Sequence, residues 1–550
     1  MNSIDRIQKA FNDHLKTLFT GHELSQDLSK LHINVDESKQ AFGNLSTSVA
    51  LVLAKALKRV PREVATEIAT SFTHPLVAKI EVAGPGFINM YCKPETFQLL
   101  AQELYEQKEE FFRPDSLEKK YNISLEFVSA NPTGPLHFGH GRGGIIGDVL
   151  GNVLRFVGHN VTKEFYINDA GNQIQKLGES FKVRCLQAAG MQATIPEDGY
   201  HGQYLADLAQ DCYAQMGQKL FDEPDSFFAD YAKHYLLQAI KNTLKDYGIE
   251  YDVWFSEKTL HASDAIPKAL KILQHNGLLF EQDGALWFKT TQFGDDKDRV
   301  VQKSTGEYTY IAADIAYLQN KIDRGADNLM MVLGHDHHSY VMRLNAVKNG
   351  LGYTDLPLSV ILYQLVKISE GGALVRMSKR AGAIVGLQDI IDTVGKDVAR
   401  FFYLNRKADA QLEFDLDLAL KKTEENPVYY VQYAYVRTGS ILAKAAQHDQ
   451  FADIDGADAQ YIGQEEAFLL KKIVFLEQLL MDITINHQTH LLTYYVLELA
   501  QLFHRYYSHV RVIDLENIEK SRARLLMIGL LRNTIALVLD ILGVSHPEKM

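Results

Sequence analysis

The chain has 550 residues, of which 46% are hydrophobic and 23% charged, with a formal net charge of −12 at pH 7. This length is too great for one hydrophobic core, so we expect three or four domains, and the acidic balance argues against general binding to polyanions. The acidic net charge still allows a single polyanion to dock on a local basic surface. The three cysteines are far apart and form no C-x-x-C pair, which excludes both a disulfide framework and a zinc ribbon.

The first 113 residues indicate a small α+β module. Helices are predicted at Ala50–Leu57 and Val64–Phe72, on either side of Pro61. The two strand-like runs within 76–92 flank Gly84-Pro85-Gly86, which predicts a hairpin. The extreme N-terminus lacks the apolar segment of a signal peptide, so we expect a cytoplasmic protein.

The next segment predicts a strand, a sharp break and a helix. Apolar and polar residues alternate in Tyr121–Val128, and Asn131-Pro132-Thr133-Gly134-Pro135 ends the strand because prolines cannot continue a ladder. A helical pattern begins at Leu136, which places His137 and His140 on one face of its first turn. Unpaired N–H groups and the positive dipole end make such a turn an anion site.

Glycines surround the two histidines at Gly139, Gly141, Gly143 and Gly144. Their missing side chains would let a large ligand approach the backbone. The alternative is that they only let the helix pack closely on the sheet. Because two imidazoles at a helix start suit phosphate recognition, the pattern favours a phosphate-binding turn.

A second strand, Val161–Tyr166, and the polar run 168–172 complete the first half of a doubly wound domain. Residues 175–255 are mostly helical and contain no catalytic constellation. Helices are predicted in this insertion at Phe181–Ala189, Gln203–Met216 and Phe227–Tyr247, and short strands follow at Tyr251–Phe255 and Leu286–Thr290.

Two polar clusters invite a metal assignment. The run 294–299, G-D-D-K-D-R, lacks the spacing of a carboxylate loop, so a turn of paired charges is favoured. Gly334-His335-Asp336-His337-His338 follows the apolar strand Leu329–Leu333, and its consecutive side chains are poorly placed to converge on one ion. Its place just after a parallel strand favours a loop that lines a nucleotide or substrate site.

The stretch from Ala373 to Gly382 is basic, with Arg376, Lys379 and Arg380 on a glycine-flanked loop. Alone it is typical of a solvated surface loop. Together with H-F-G-H it forms a far more specific pattern.

From residue 423 the sequence is helical to its end, which predicts a bundle. Tyr430 and Tyr433 share a helix face; they pack in the core or, if exposed, stack on unpaired RNA bases. The apolar stretch Leu525–Val544 is interrupted by Arg532 and Asp540, so it predicts a buried helix and no membrane span.

The two loops carry a family resemblance. H-F-G-H and R-M-S-K-R resemble the HIGH and KMSKS signatures of class I aminoacyl-tRNA synthetases. The pieces E-F-V-S-A-N-P-T-G-P-L-H-F-G-H, Y-I-N-D-A-G-N-Q-I, Y-T-Y-I-A-A-D-I-A-Y and N-P-V-Y-Y-V-Q-Y-A are similar to arginyl-tRNA synthetases. One departure is that Arg376 stands where the signature has its first lysine.

The resemblance implies a multidomain α/β architecture. It consists of a doubly wound, Rossmann-like (HUP-type) catalytic domain with a parallel sheet, an N-terminal α+β domain that contacts the tRNA corner, and a C-terminal α-helical bundle that holds the anticodon. The implied boundaries are 1–113 for the N-terminal domain, 114–174 with 256–400 for the catalytic domain, 175–255 for the connecting insertion, 401–422 for a linker and 423–550 for the bundle.

The implied activity is activation of L-arginine with ATP, followed by transfer to the 3′ adenosine of tRNA(Arg). Mg²⁺ would arrive with ATP, the protein itself would bind no metal, and the enzyme would be monomeric and would need tRNA for activation. The implied catalytic residues are His137, His140, Ser378 and Lys379. ATP would contact Ala130, Asn131, Pro132, Thr133, Gly134, Pro135, Leu136, His137, Phe138, Gly139, His140, Val366, Met377 and Lys379. The implied tRNA contacts are Tyr430, Tyr433 and Met550.

Specificity for arginine would rest on carboxylates, because only a carboxylate matches the guanidinium fork. The resemblance places Glu126, Asn131, Tyr310, Asp314 and His337 around the amino acid. Asp314 is the first choice for the guanidinium, since it follows Tyr310 by one helical turn and its neighbours are apolar. The alternatives are a synthetase for another amino acid, a small nucleotidyltransferase and a catalytically inactive RNA-binding relative.

Overall fold

The computed structural model of the chain describes residues 1–20, 29–114, 117, 119–374 and 386–550. The basic stretch from residue 375 onward, which we call the basic segment, therefore lies outside the described residues, and with it Arg376, Met377, Ser378, Lys379 and Arg380.

The N-terminal domain is an antiparallel sheet covered by helices. Its strands run in the order β1-β2-β4-β3, and the predicted hairpin is confirmed, with Ala83 opposite Phe87 around glycines of positive φ. The strands are β1 His32–Ile33, β2 Leu45–Thr47, β3 Val77–Ala83 and β4 Phe87–Cys92; the helices are α1 Ser3–Leu18, α2 Val49–Leu57, α3 Pro61–Ser71 and α4 Pro94–Gln107.

The catalytic domain is built on a parallel sheet in the order β12-β11-β5-β6-β7. Strand order reverses between β5 and β11, so a crevice for ligands opens at the carboxyl ends of these two strands. The strands are β5 Asn122–Phe127, β6 Asn160–Ile167, β7 Val253–Ser256, β11 Asn328–Gly334 and β12 Leu358–Tyr363; the covering helices include α5 Phe138–Phe156, α11 Tyr310–Asp323 and α12 Tyr340–Gly350.

Two smaller sheets extend this domain. The antiparallel strands β8 Leu279–Gln282, β9 Ala285–Phe288 and β10 Arg299–Gln302 follow helices α9 Lys258–Ala262 and α10 Ala265–His275. In the run 294–299, the guanidinium of Arg299 binds the Asp295 carboxylate at 2.8 Å, which confirms the turn of paired charges.

The third sheet includes part of the segment expected as a linker. Strand β15, Leu412–Asp415, pairs in parallel with β13, Val366–Glu370, which also pairs with β14, Ala373–Leu374. Helices α13 Leu387–Val394, α14 Lys396–Tyr403 and α15 Leu416–Ala419 complete this region. Residues 401–422 are thus folded against the catalytic domain.

The insertion is a helical unit with its own core. It contains α6 Asn172–Ala188, α7 Gln203–Met216 and α8 Asp225–Asp246, and Leu177, Phe181, Leu205 and Phe228 pack together between them. The first helix begins nine residues before the predicted start at Phe181, because its first turns are mainly polar and carry a weak apolar pattern.

The C-terminal bundle consists of α16 Pro427–Ala445, α17 Gln464–Asn486, α18 His490–His509 and α19 Ile518–Leu542. By length and composition α19 alone among the helices of the described residues could cross a membrane, but 72% of its most apolar window is buried inside the protein. The bundle core is continuous with the core under β5 and α5.

A buried ion cluster reinforces this junction. Asp148 on α5 binds the ammonium of Lys163 and the guanidinium of Arg400, each at 2.6 Å. Arg400 also donates to the carbonyl of Leu542, at the end of α19, at 2.7 Å. One guanidinium therefore joins α5 to α19, the last helix of the bundle.

Candidate active site

The turn after β5 is strained. Val128 and Ser129 have φ of +67° and +41°, a region that residues with a Cβ rarely adopt and that costs on the order of 1–3 kcal/mol each. The hydroxyl of Ser129 donates to Glu126 at 3.0 Å and accepts from the backbone N–H of Tyr166 at 3.1 Å. These bonds hold the turn, which directs the following residues, 130–135, across the carboxyl edge of the sheet.

The two histidines lie together, as their spacing predicts. His137 precedes α5 and His140 lies in its first turn, with ring centroids 3.6 Å apart and planes 24° apart. The backbone N–H of His137 donates to Nδ1 of His140 at 3.2 Å. Because Nδ1 accepts, the proton of a neutral ring is on Nε2, which is then a donor.

Burial, with a smaller contribution from the neighbouring His137, lowers the pKa of His140 to about 3. At neutral pH the ring is therefore uncharged. It can recognise a phosphate through a hydrogen bond and not through a full positive charge.

The glycines of this helix serve packing, which corrects the expectation that they open the backbone to a ligand. A Cβ on Gly141 would lie 2.6 Å from Leu387, and one on Gly143 would lie 2.5 Å from the Tyr363 ring. A Cβ on Gly144 would lie 3.1 Å from Ile249. Only Gly139 faces the histidines, with the His137 ring 3.1 Å from its Cβ position.

The residues 130–135, which we call the proline loop, are held by side chains from outside the sheet. Asn131 donates to the side chain of Gln173 at 2.8 Å, and Tyr204 donates to the carbonyl of Thr133 at 2.7 Å. Within the loop and the residue after it, Pro132 and Leu136 are buried, Asn131 and Pro135 are exposed, and Ala130, Thr133 and Gly134 lie between these extremes. Phe138, at the start of α5, is buried.

The chain that follows the basic segment returns to the histidines. Gly386 forms an antiparallel bridge with His137, and the N–H of Leu387 donates to the carbonyl of Leu136 at 2.8 Å. Thus residue 386, seven positions after Lys379, lies against the histidine turn.

Arg142 connects α5 to the chain that leads into the basic segment. Its buried guanidinium donates to the carbonyls of Gln364, Lys407 and Ala410 at 2.7 to 2.9 Å. Val366 begins β13 two residues after Gln364 and is itself buried. The sequence interpretation missed Arg142, which follows H-F-G-H by two positions.

A second group of side chains, which we call the acidic pocket, consists of the interacting carboxyl groups of Asp314, Glu126 and Glu257. Burial raises the pKa of Asp314 to about 7; a hydrogen bond from Tyr340 opposes the rise, and repulsion by Glu126 and Glu257 adds to it. Asp314 is therefore partly buried near two other carboxyl groups, which agrees with the predicted buried acid.

Glu126, at the end of β5, is already engaged. Its carboxylate accepts from the ammonium of Lys321 at 2.6 Å and from the Ser129 hydroxyl at 3.0 Å. Lys321 is 3% exposed and lies 4.4 Å from the centre of the Tyr317 ring. Lys321 lies seven positions after Asp314 on α11, and this helical spacing is a sequence signal that could have indicated that the two residues share a face.

The other residues expected around the amino acid lie at the rim. Tyr310 begins α11 and is 63% exposed, so most of its side chain is in solvent. His337 is exposed, and its ring centre lies 6.4 Å from that of Tyr340, the residue that donates to Asp314. Asn131 binds Gln173.

Within the ranges that the structure describes, no group of three or more His, Cys, Asp or Glu side chains could hold a metal ion. In the cluster after β11, the rings of His335 and His338 stack with centroids 5.9 Å apart.

A second aromatic surface lies on the bundle. The ring of His504 lies 4.7 Å from Tyr430 and 5.7 Å from Tyr433, and Arg437 lies over the rings of Tyr433 and Tyr507. Tyr430 is half-buried and Tyr433 is 38% exposed, so part of each ring packs against the bundle and part is accessible for stacking on a base. Met550 is exposed.

Comparison with known proteins covers every domain. The chain matches the family models described as arginyl tRNA synthetase N terminal domain at residues 5–92, tRNA synthetases class I (R) catalytic domain at 100–412 and DALR anticodon binding domain at 431–550. It is 39% identical to an arginine–tRNA ligase of Oceanobacillus iheyensis and 38% identical to that of Bacillus subtilis, with all of each chain covered. The arginyl-tRNA synthetase structure from Thermus thermophilus is similar in fold, with a TM-score of 0.77, 21% identity, and 99% of this chain and all of that chain covered.

Proposed function

Because the chain belongs to the arginyl-tRNA synthetase family, we propose that the histidine turn and the acidic pocket of the structure are the sites of its two small substrates. The protein is a class I arginine–tRNA ligase that uses ATP. The observation that supports this assignment most directly is the bridge between Gly386 and His137, because it brings the chain leaving Lys379 back to the histidines. The proline loop and the histidine turn are consecutive in the chain, and residue 386, which follows the second signature, lies against the histidine turn.

In the first step the carboxylate of arginine attacks the α-phosphate of ATP, and pyrophosphate leaves. Such a reaction depends on placement and on stabilisation of charge. Nε2–H of His140 would donate to a phosphate oxygen, and His137 and the first N–H groups of α5 would add donors on the same side. The neutral state of His140 keeps this donor in place across the working pH range.

The other phosphate contacts come from the basic segment. Ser378 and Lys379 would bind the leaving pyrophosphate as its charge develops, with Met377 and Val366 beside the nucleotide. Mg²⁺ enters as part of the MgATP substrate, held mainly by phosphates and water. The proline loop would cover the nucleotide.

For arginine, Asp314 is the proposed partner of the guanidinium. One oxygen of Glu126 is occupied by Lys321 and the other by Ser129, so Glu126 contributes its remaining lone pairs and negative potential. Asn131, Tyr310 and His337 would complete the site from its rim. Several carboxylates favour arginine over an uncharged amino acid, because carboxylates match the guanidinium fork.

In the second step the aminoacyl group passes to the 3′ adenosine of tRNA(Arg). The bundle surface of Tyr430 and Tyr433, with Met550, would stack on anticodon bases, and the N-terminal domain would contact the tRNA corner. We assign the enzyme to the cytoplasm as a monomer.

A charging assay tests the assignment. The purified protein, MgATP and total tRNA are incubated with each of the twenty amino acids, and we expect ester formation with arginine only. Lys379→Ala is expected to lower pyrophosphate exchange by more than about tenfold, or about 1.4 kcal/mol. Charging with another amino acid would contradict the arginine assignment; a smaller loss in Lys379→Ala would remove Lys379 from the transition state.

A further inference from the structure

We propose that the helical insertion has a direct task in the activation step: Tyr204 of the insertion is a positioning residue that fixes the proline loop over ATP. This inference rests on the proposed function, because that function makes the proline loop an ATP contact. Nothing in the mechanism above uses the insertion.

The contact is a single hydrogen bond with a defined direction. The hydroxyl of Tyr204, on α7, donates to the carbonyl oxygen of Thr133 at 2.7 Å. Burial raises the pKa of Tyr204 to about 12, so the hydroxyl keeps its proton, and thus its donor role, at any working pH. A Cβ on Gly134 would lie 3.3 Å from the hydroxyl oxygen of Tyr204, so the absence of a side chain at Gly134 allows the hydroxyl to approach the loop closely.

Tyr204 is fixed on its own side as well. A Cβ on Gly202, which precedes α7, would lie 2.1 Å from the Tyr204 ring, so the ring occupies the space of the missing side chain. The next residue, Leu205, is fully buried in the insertion core with Phe181 and Phe228. The hydroxyl is therefore presented from a packed base and not from a flexible surface side chain.

A second hydrogen bond, to helix α6 of the insertion, supports the same loop. Asn131 donates to Gln173 in the first turn of α6, and α6 and α7 pack on one core. The loop has few bonds of its own, since Pro132 and Pro135 lack an N–H. Its position between the strained turn and His137 therefore depends on the insertion.

The consequence is a selective loss in ATP use. Displacement of a substrate-positioning group by about 1 Å can lower the rate on the order of 10²-fold. Loss of one neutral hydrogen bond, among the several contacts that hold the loop, is expected to produce only part of that effect. We expect Tyr204→Phe to raise the KM for ATP by about three- to tenfold, the range of one lost hydrogen bond. The KM for arginine is expected to rise less than the KM for ATP, because Asp314 and Glu126 lie outside the proline loop and Asn131 is the one proposed arginine contact within it.

The experiment uses the full-length enzyme with saturating arginine and tRNA, and pyrophosphate exchange is measured while ATP is varied. Tyr213→Phe is the matched control, because it removes a hydroxyl from the same helix that interacts with Gln218 and not with the loop. Thermal unfolding of both variants is measured to exclude general destabilisation. Hydrogen exchange at the N–H of Thr133, which donates to the Asn131 carbonyl at 2.8 Å, is expected to accelerate in Tyr204→Phe only.

A KM for ATP within twofold of the control in Tyr204→Phe would overturn the inference. So would an equal rise in the KM for arginine, since that would indicate a general structural loss. If the unmodified enzyme exchanges pyrophosphate with arginine while Tyr204→Phe behaves like the control, only this inference fails. If the unmodified enzyme does not respond to arginine, the proposed function fails first.

Discussion

Lowering the pH from 8 to 6 is expected to weaken the use of arginine by about tenfold, because the guanidinium needs an ionised Asp314. Burial raises the pKa of this carboxyl to about 7, with Glu126 and Glu257 adding to the rise and Tyr340 and Arg343 opposing it. In the enzyme without arginine, the Asp314 carboxyl is therefore protonated in about half of the molecules near neutral pH.

The magnitude follows from the ionised fraction. With a pKa of about 7, roughly nine-tenths of the pockets are ionised at pH 8 and roughly one-tenth at pH 6, so kcat/KM for arginine falls by about tenfold, or about 1.4 kcal/mol. His140 does not interfere, because its pKa of about 3 keeps it neutral over this range.

The assay is pyrophosphate exchange with saturating ATP and tRNA, at several arginine concentrations and at pH values from 6 to 8. The apparent pKa in kcat/KM reports the free enzyme. Asp314→Asn is expected to lower kcat/KM for arginine strongly and to remove the pH dependence that remains. A profile of the unmodified enzyme that is flat from pH 6 to 8 would refute Asp314 as the partner of the guanidinium.

Four further predictions follow from other contacts. His140→Ala is expected to lower kcat of pyrophosphate exchange by about 10²- to 10³-fold, the loss typical of one transition-state donor, with only a small fall in melting temperature from the lost bond to the His137 N–H; a change in kcat below about tenfold would contradict its phosphate role. Asp314→Asn is expected to raise the melting temperature at pH 8 and not at pH 4. Folding raises the pKa of this carboxyl to about 7, so its ionisation lowers the stability increasingly as the pH rises from the pKa of the unfolded chain to about 7. Equal shifts in melting temperature at both pH values would speak against the raised pKa. Arg400→Met is expected to lower the free energy of unfolding in urea by about 3–5 kcal/mol, since it leaves the buried Asp148 with one partner; a loss below about 1 kcal/mol would show that the pair is dispensable. Tyr433→Ala is expected to raise the KM for tRNA by about five- to 150-fold, or about 1–3 kcal/mol for one stacked base, while leaving the KM for ATP unchanged; an unchanged KM for tRNA would assign this ring to packing alone.

The sequence predicts local structure well where the chemistry is local. The spacing of His137 and His140 predicts that they share a face, on which the structure stacks their rings, and the turn residues Gly84-Pro85-Gly86 predict the hairpin that the structure contains. The apolar neighbours of Asp314 predict a buried acid, and burial of that carboxyl is what raises its pKa. These features depend on residues within one or two turns of each other.

Contacts between distant segments could not be predicted in this way. Lys321 reaches Glu126 across 195 positions, and Tyr204 reaches Thr133 across 71. The glycines of α5 show the same limit, because their role depends on which side chains face them, and Tyr363 lies 220 positions after Gly143. Periodicity places a residue on a face, but only the tertiary fold determines the partner of that face.

The continuous core that joins the bundle to α5 has a consequence for how the protein comes apart. A calorimeter is expected to record one heat-absorption peak for these two regions, because neither can release its apolar surface without uncovering that of the other. A bundle excised at residue 423 would carry that uncovered surface into water and would aggregate. Whoever wishes to study anticodon binding separately from catalysis must therefore inactivate the catalytic residues in place and keep the polypeptide whole.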